Sequence, residues 1–285
     1  MFPASVEEFI IEARMTKKRI GIFDSGFGGL DVLRGIVKAL PQYDYVYLGD
    51  TARAPYGTRT KETIYQFTKE GVDFLFKKNC ELIILACNTA SADALRKIQR
   101  AYLPKKHPKK RVLGVLIPAA EAAARATRNG RIGVIATEAT VASLAFQREI
   151  KKLDTRAEVF QSAAPLLVPL VEAGEHKSKA GDLMLRKYLA PLLGKRIDTL
   201  VLGCTHYGIL ESIIKKIVGK RVSVISEARA VPPKLADYLA RHPEIERKLS
   251  RKGTARFFST DITPAFSRRG SEFYGRKIFA KKADM

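Results

Sequence analysis

LIILACNTAS, residues 82–91, is an unbroken apolar run that stops at a cysteine and passes into small polar residues. Four large aliphatic side chains in succession show neither helical nor alternating period, the pattern of a strand buried on both faces. TLVLGCTHYG, residues 199–208, repeats the design with its own cysteine at the same place. Working outward, similar short runs recur along the chain: RIGIFD (19–24), YVYLGD (45–50), RVLGVL (111–116), RIGVIA (131–136), AEVFQS (157–162), VSVIS (222–226) and ARFFST (255–260). Helical stretches such as LDVLRGIVKAL (30–40) and TKETIYQFTKEGVDFLFKKN (60–79) lie between them. Buried strands alternating with helices predict an α/β fold with mainly parallel sheets covered on both faces.

The chain also echoes itself. RIGIFDSG at Arg19 returns as RIGVIATE at Arg131, and the Cys87 segment returns at Cys204 with nearly the same offset. Two similar α/β halves follow, each carrying a cysteine at the C-terminal end of a buried strand. Open α/β sheets bind ligands in the crevice beyond those ends. If the halves face each other, both thiols open onto one cleft.

Four segments are candidates for chemistry. FDSGFGGL, 23–30, joins a strand to a helix through Gly26, Gly28 and Gly29. Its amides suit an anion, and Asp24 serves either to receive a cation or to cap the helix. The spacing matches neither the dinucleotide fingerprint nor a P-loop. DTARAPYGTRT, 50–60, is a loop whose amides near Tyr56 and Gly57 can hold a carboxylate, or an ordinary turn. ACNTAS and GCTHYG place Cys87 and Cys204 beside Asn88, Thr89, Thr205 and His206, where hydroxyls, amides and a helix start favour a thiolate. A single cysteine of this kind reads equally as a buried small hydrophobe; two in matching contexts favour a functional pair. Cys80, in KKNCELI, lacks that context and is read as structural.

Composition narrows the class. The 285 residues are 46% hydrophobic and 28% charged, as in an ordinary globular protein. No apolar run reaches the roughly 18 residues of a transmembrane helix, and the first residues lack the order of a secretory signal, so a cytoplasmic protein without a membrane segment is expected. Residues 1–16 read as an N-terminal extension. The three cysteines show no CxxC spacing and, with the four histidines, no zinc pattern, so neither disulfides nor a metal site is expected. The net charge of +22 raises the question of nucleic acid. The basic residues are scattered rather than gathered into one aromatic-lined stripe, which argues for a solvated basic surface. A homodimer is compatible with the sequence.

Together, IGIFDSGFGGL, YLGDTARAPYG, LACNTASA, IGVIATEAT, PLLVPLVEAG and LGCTHYG resemble, in the same order, the glutamate racemases of the aspartate/glutamate racemase family. The resemblance runs from about Ile20 to Gly275. It implies racemisation of L-glutamate and D-glutamate without cofactor or metal, supplying D-glutamate for peptidoglycan. Cys87 and Cys204 match the two catalytic cysteines, on opposite faces of the substrate α-carbon. Asp24 and Ser25 match residues near the substrate amino group. Tyr56, Gly57, Asn88, Thr89, Thr205 and His206 match the remaining contacts, and Glu172 a nearby carboxylate able to steer His206. It also implies a first domain of residues 17–115 plus 223–285, a second of residues 116–222, and the site in the cleft between them.

Three departures from the family pattern stand out. Gly208 replaces a usual proline, with a looser turn expected; Ala164 replaces a common cysteine; and Ser226-Glu227 stands where Asp-Ser or Ser-Ser is frequent, adding a charge near a strand end.

Overall fold

A computed structural model describes residues 17–285; the expected extension, residues 1–16, lies outside the described residues. Among the described residues ten strands form two sheets. They are β1 (Arg19–Asp24), β2 (Tyr45–Gly49), β3 (Cys80–Leu85), β4 (Arg111–Gly114), β5 (Arg131–Ala136), β6 (Glu158–Ala163), β7 (Thr199–Gly203), β8 (Ser223–Ile225), β9 (Ala255–Ser259) and β10 (Ala280–Lys282). The six-stranded sheet has the order β10-β9-β2-β1-β3-β4 and the four-stranded sheet β6-β5-β7-β8. Every strand pair is parallel. The central strands are wholly buried, as continuous Ile, Leu and Val runs require when helices cover both faces.

The internal echo has a topological counterpart. Strands β1 to β4 are ordered 2-1-3-4, and β5 to β8 repeat that order as 6-5-7-8. In each set the chain leaves the first strand toward one side and returns on the other. A crevice therefore opens beyond the C-terminal ends of β1 and β3 in one sheet and of β5 and β7 in the other. Cys87 follows β3, and Cys204 follows β7.

Local signals set the element boundaries. Thr60 and Thr137 sit in extended backbone and accept from the amides of Thr63 and Thr140, capping the helices Lys61–Lys77 and Glu138–Ala142. Asn79 turns the chain at φ 67°, so β3 begins at Cys80 and not at Leu82 as expected. Cys80 accordingly opens a strand. β8 pairs with β7, so Ser223–Ile225 belongs to the second sheet, not to the segment returning to the first from residue 223. Charged Lys281 and Lys282 concealed the edge strand β10, which continues the first sheet beyond β9.

The two sheets are tied together by helix contact. The helix Glu227–Arg241 packs on the helix Gly29–Ala39, and at Gly35 they meet so closely that a Cβ would lie 2.2 Å from the Ala228 carbonyl oxygen. An obstacle made of backbone moves only if its helix moves. Gly35→Ala is therefore expected to destabilise the protein by about 1–3 kcal/mol, despite alanine's better helix propensity. The expected readout is a lower urea midpoint; an unchanged or higher one would show that the helices do not approach this closely.

Candidate active site

The cavity between the sheets is walled by Ser25, Ala54, Pro55, Tyr56, Gly57, Cys87, Asn88, Thr89, Thr137, Val168, Glu172, Cys204, Thr205 and His206. Both singled-out thiols thus face one space, as do all the polar residues expected there except Asp24. The enclosed volume is about 20 Å³, roughly room for one water. Among the described residues no lysine or arginine lies on its wall, which offers hydroxyl, amide and backbone donors beside Glu172 and His206.

The two cysteines and their polar neighbours are placed by strand ends, and Val168 and Glu172 by the helix Leu167–Ala173. β3 continues through Ala86, whose amide still donates to Phe23 O at 2.8 Å. Cys87 then caps the short helix Asn88–Asp93, its Sγ accepting from Ala90 N at 3.5 Å. Cys204 ends β7 in extended backbone before the 3-10 turn Thr205–Leu210. Thr89 Oγ1 reaches Thr137 Oγ1 at 3.0 Å and Thr140 Oγ1 at 3.3 Å, linking residues that follow β3 and β5. His206 Nε2 lies 3.1 Å from Glu172 Oε1, the contact by which Glu172 can orient the ring.

Asp24 stands one layer behind the wall. It has no exposed surface and accepts from Gly26 N at 3.0 Å and from Thr205 Oγ1 at 3.2 Å. Its position is that of a support under Ser25 and Thr205. Tyr56 differs from expectation in a similar way. Its hydroxyl donates to Asp50 Oδ2, so the Tyr56–Gly57 backbone is what remains for a ligand. Gly28 allows the seam to close, because a Cβ there would stand 2.6 Å from Thr205 Oγ1 and 2.8 Å from His206 Nδ1.

The thiols do not meet the expectation of a favoured thiolate. Burial, reinforced by the negative charge of Asp24, pushes Cys87 up to about 11 against the opposing pull of Ser25 and the Ala90 amide. Burial likewise holds Cys204 well above the ordinary thiol range, with Cys87, Asp24 and Glu227 adding to it and the His206 amide opposing. A six-residue helix start is too weak to offset full desolvation. Both sulfurs rest as thiols at neutral pH.

Two wall residues, Thr137 and Val168, and one residue behind the wall, Glu227, escaped sequence reasoning in an instructive way. Thr137 stands after β5 where Ser25 stands after β1, so the internal repeat marks it. Val168 carried no signal beyond its place in PLLVPLVEAG. Glu227 was seen only as an added charge, yet it is buried and accepts from Asn88 Nδ2 at 3.0 Å. The turn at Gly208 is close-packed instead of loose: a Cβ there would sit 2.2 Å from Asp31 Oδ2. Among the described residues, no grouping of three or more His, Cys, Asp or Glu is arranged to hold a metal.

Comparison with known proteins gives this site a class. Residues 20–231 match the family model described as Asp/Glu/Hydantoin racemase. The chain is 43% identical over 265 residues to a glutamate racemase of Geobacter metallireducens, covering 93% of this chain and 95% of the relative. It is 41% identical to a glutamate racemase of Listeria innocua, covering 88% and 91%. Its fold superposes on glutamate racemase RacE1 of Bacillus anthracis with a TM-score of 0.86 at 35% identity, and on the Francisella tularensis glutamate racemase in complex with D-glutamate with 0.83 at 31%; each covers 95% of this chain and 98% of the other. The chain belongs to the Asp/Glu/Hydantoin racemase family and is an amino-acid racemase.

The burial of the cysteines has a measurable consequence. All three are free and buried, and Cys80 is pushed up to about 12. Ellman's reagent at pH 7.5 is expected to react with the native protein far more slowly than with a small thiol, and with three thiols once the protein is unfolded. Prompt reaction of one native thiol would show an accessible or ionised sulfur.

Proposed function

We propose that this chain interconverts L-glutamate and D-glutamate by proton transfer at the α-carbon, with Cys87 and Cys204 as the two bases. The observation that carries the reading is that both thiols open onto one cavity from the equivalent strand ends of the two sheets. Racemisation removes a proton from one face of Cα and returns one to the other, which a single fixed base does poorly. A thiolate on one face and a thiol on the other exchange roles with direction. Cys87 takes the α-proton of D-glutamate and Cys204 that of L-glutamate.

The raised thiols suit this task. A thiolate formed from a high-lying thiol is a strong base, closer to what a carbon acid demands. It must be generated with substrate bound, when the ammonium group brings a positive charge to a site whose nearest fixed charges are acidic. Ser25, with Asp24 behind it, receives the ammonium. The Tyr56–Gly57 backbone, Asn88, Thr89, Thr205 and His206 hold the carboxylates, and Glu172 orients His206. Charge growing on the α-carboxylate is stabilised by these prepositioned donors, and the side chains named here require no electron sink from a cofactor. The product D-glutamate serves peptidoglycan synthesis in the cytoplasm.

Incubation with L-glutamate in D₂O is expected to abolish the circular dichroism signal with deuterium appearing at Cα. Cys87→Ala and Cys204→Ala should each lose at least about 1,000-fold in kcat while remaining folded, and Cys80→Ala should retain activity. Substantial racemisation by either active-site variant would overturn the two-thiol scheme.

A further inference from the structure

Asn88 is held from behind by a residue that the proposed mechanism does not use. Glu227 opens the helix Glu227–Arg241, is 2% exposed, and accepts from Asn88 Nδ2 at 3.0 Å through Oε1. Asn88 lines the cavity, and its second polar atom, Oδ1, is buried without a hydrogen-bond partner among the described residues. One edge of the carboxamide is therefore engaged by Glu227 and the other has no partner among the described residues. A carboxamide rotated by 180° fills the same space with donor and acceptor exchanged.

The surroundings of Glu227 are acidic. Asp31 faces it from the helix Gly29–Ala39 and Asp24 from the end of β1, and Cys204 couples to it from the end of β7. The nearby cations are already engaged, Arg34 by Asp31 and Arg229 by Glu211. Burial, with Asp31 and Asp24 adding to it, pushes Glu227 up to about 8 against its own amide and Asn88. Near neutrality it carries a proton, and a carboxylic acid can donate as well as accept where a carboxylate only accepts.

We propose that Glu227 is a positioning residue that decides which edge of the Asn88 carboxamide meets the substrate. Neutral Glu227 donates its O–H to Asn88 Oδ1 and leaves Nδ2 to donate to a substrate carboxylate. Ionised Glu227 accepts from Nδ2 and presents the substrate carboxylate with an acceptor, which repels it. The inference rests on the racemase reading of the cavity and assigns Glu227 a part in substrate affinity, not in proton transfer at Cα.

The test is the pH dependence of KM and kcat for glutamate between pH 6.5 and 9.5 in the wild type, Glu227→Gln and Glu227→Ser. A glutamine always offers a donor to Oδ1 and cannot ionise. The wild-type KM, divided by that of the glutamine variant, is expected to rise roughly tenfold as pH passes through about 8, the worth of one hydrogen bond, while the kcat ratio stays near one. Glu227→Ser should show a raised KM at every pH. Using the ratio cancels titration of the substrate. The side-chain amide resonance of Asn88 should also move with pH through that range in the wild type and stay fixed in the glutamine variant. Parallel KM profiles for folded wild type and Glu227→Gln would overturn the proposal, as would a change confined to kcat. A wild type inert toward glutamate at every pH would instead remove the racemase reading and this inference with it.

Discussion

Thr205 donates a hydrogen bond to Asp24, and that bond joins the end of a strand in the four-stranded sheet to the end of a strand in the six-stranded sheet. The contact is fully buried, with Gly28 cut back to hydrogen so that the segments can meet. Parallel topology makes such a junction useful. All strands of a sheet end on the same side, so loops that end β1, β3, β5 and β7 gather at two crevices that can be pressed together. Polar groups at that junction are paired across it, as Thr205 with Asp24 and Thr89 with Thr137, or within their own sheet's loops, as Tyr56 with Asp50. The cavity walls are thus the residue of a packing problem: what remains after Asp24, Asp50 and Glu227 have taken partners behind them.

Desolvation is the second organising force. It holds Cys87 and Cys204 as thiols and leaves Glu227 protonated near neutrality. In water none of these states would be preferred to the same degree. A site that must create a strong base only when substrate is present gains from such a ground state, because the resting sulfurs are kept from stray reaction. That no lysine or arginine among the described residues lines the wall agrees with this logic. A fixed cation there would favour a thiolate.

Much of the architecture was legible in the chain. Unbroken aliphatic runs at β1, β3, β5 and β7 declared buried parallel strands, and the recurrence of RIG and of the cysteine segments declared two halves, because periodicity and composition are local properties. The same local marks put Cys87, Cys204 and their hydroxyl neighbours at strand ends. The misplacements also have local causes. Ser223–Ile225 is too short to reveal which sheet it joins, and Lys281 and Lys282 are charged because they lie on an exposed edge.

What the sequence determined by itself was therefore most of the strands, the parallel class and the positions along the chain where polar groups emerge from strands. Only the tertiary structure decided the order of depth: that Ser25 stands before Asp24, that the Tyr56 hydroxyl is spent on Asp50, that Thr137 joins Thr89, and that Glu227 stands behind Asn88. It also decided the protonation of the thiols. Hydrogen-bond partners and desolvation are set by residues distant along the chain, and no local pattern carries that information.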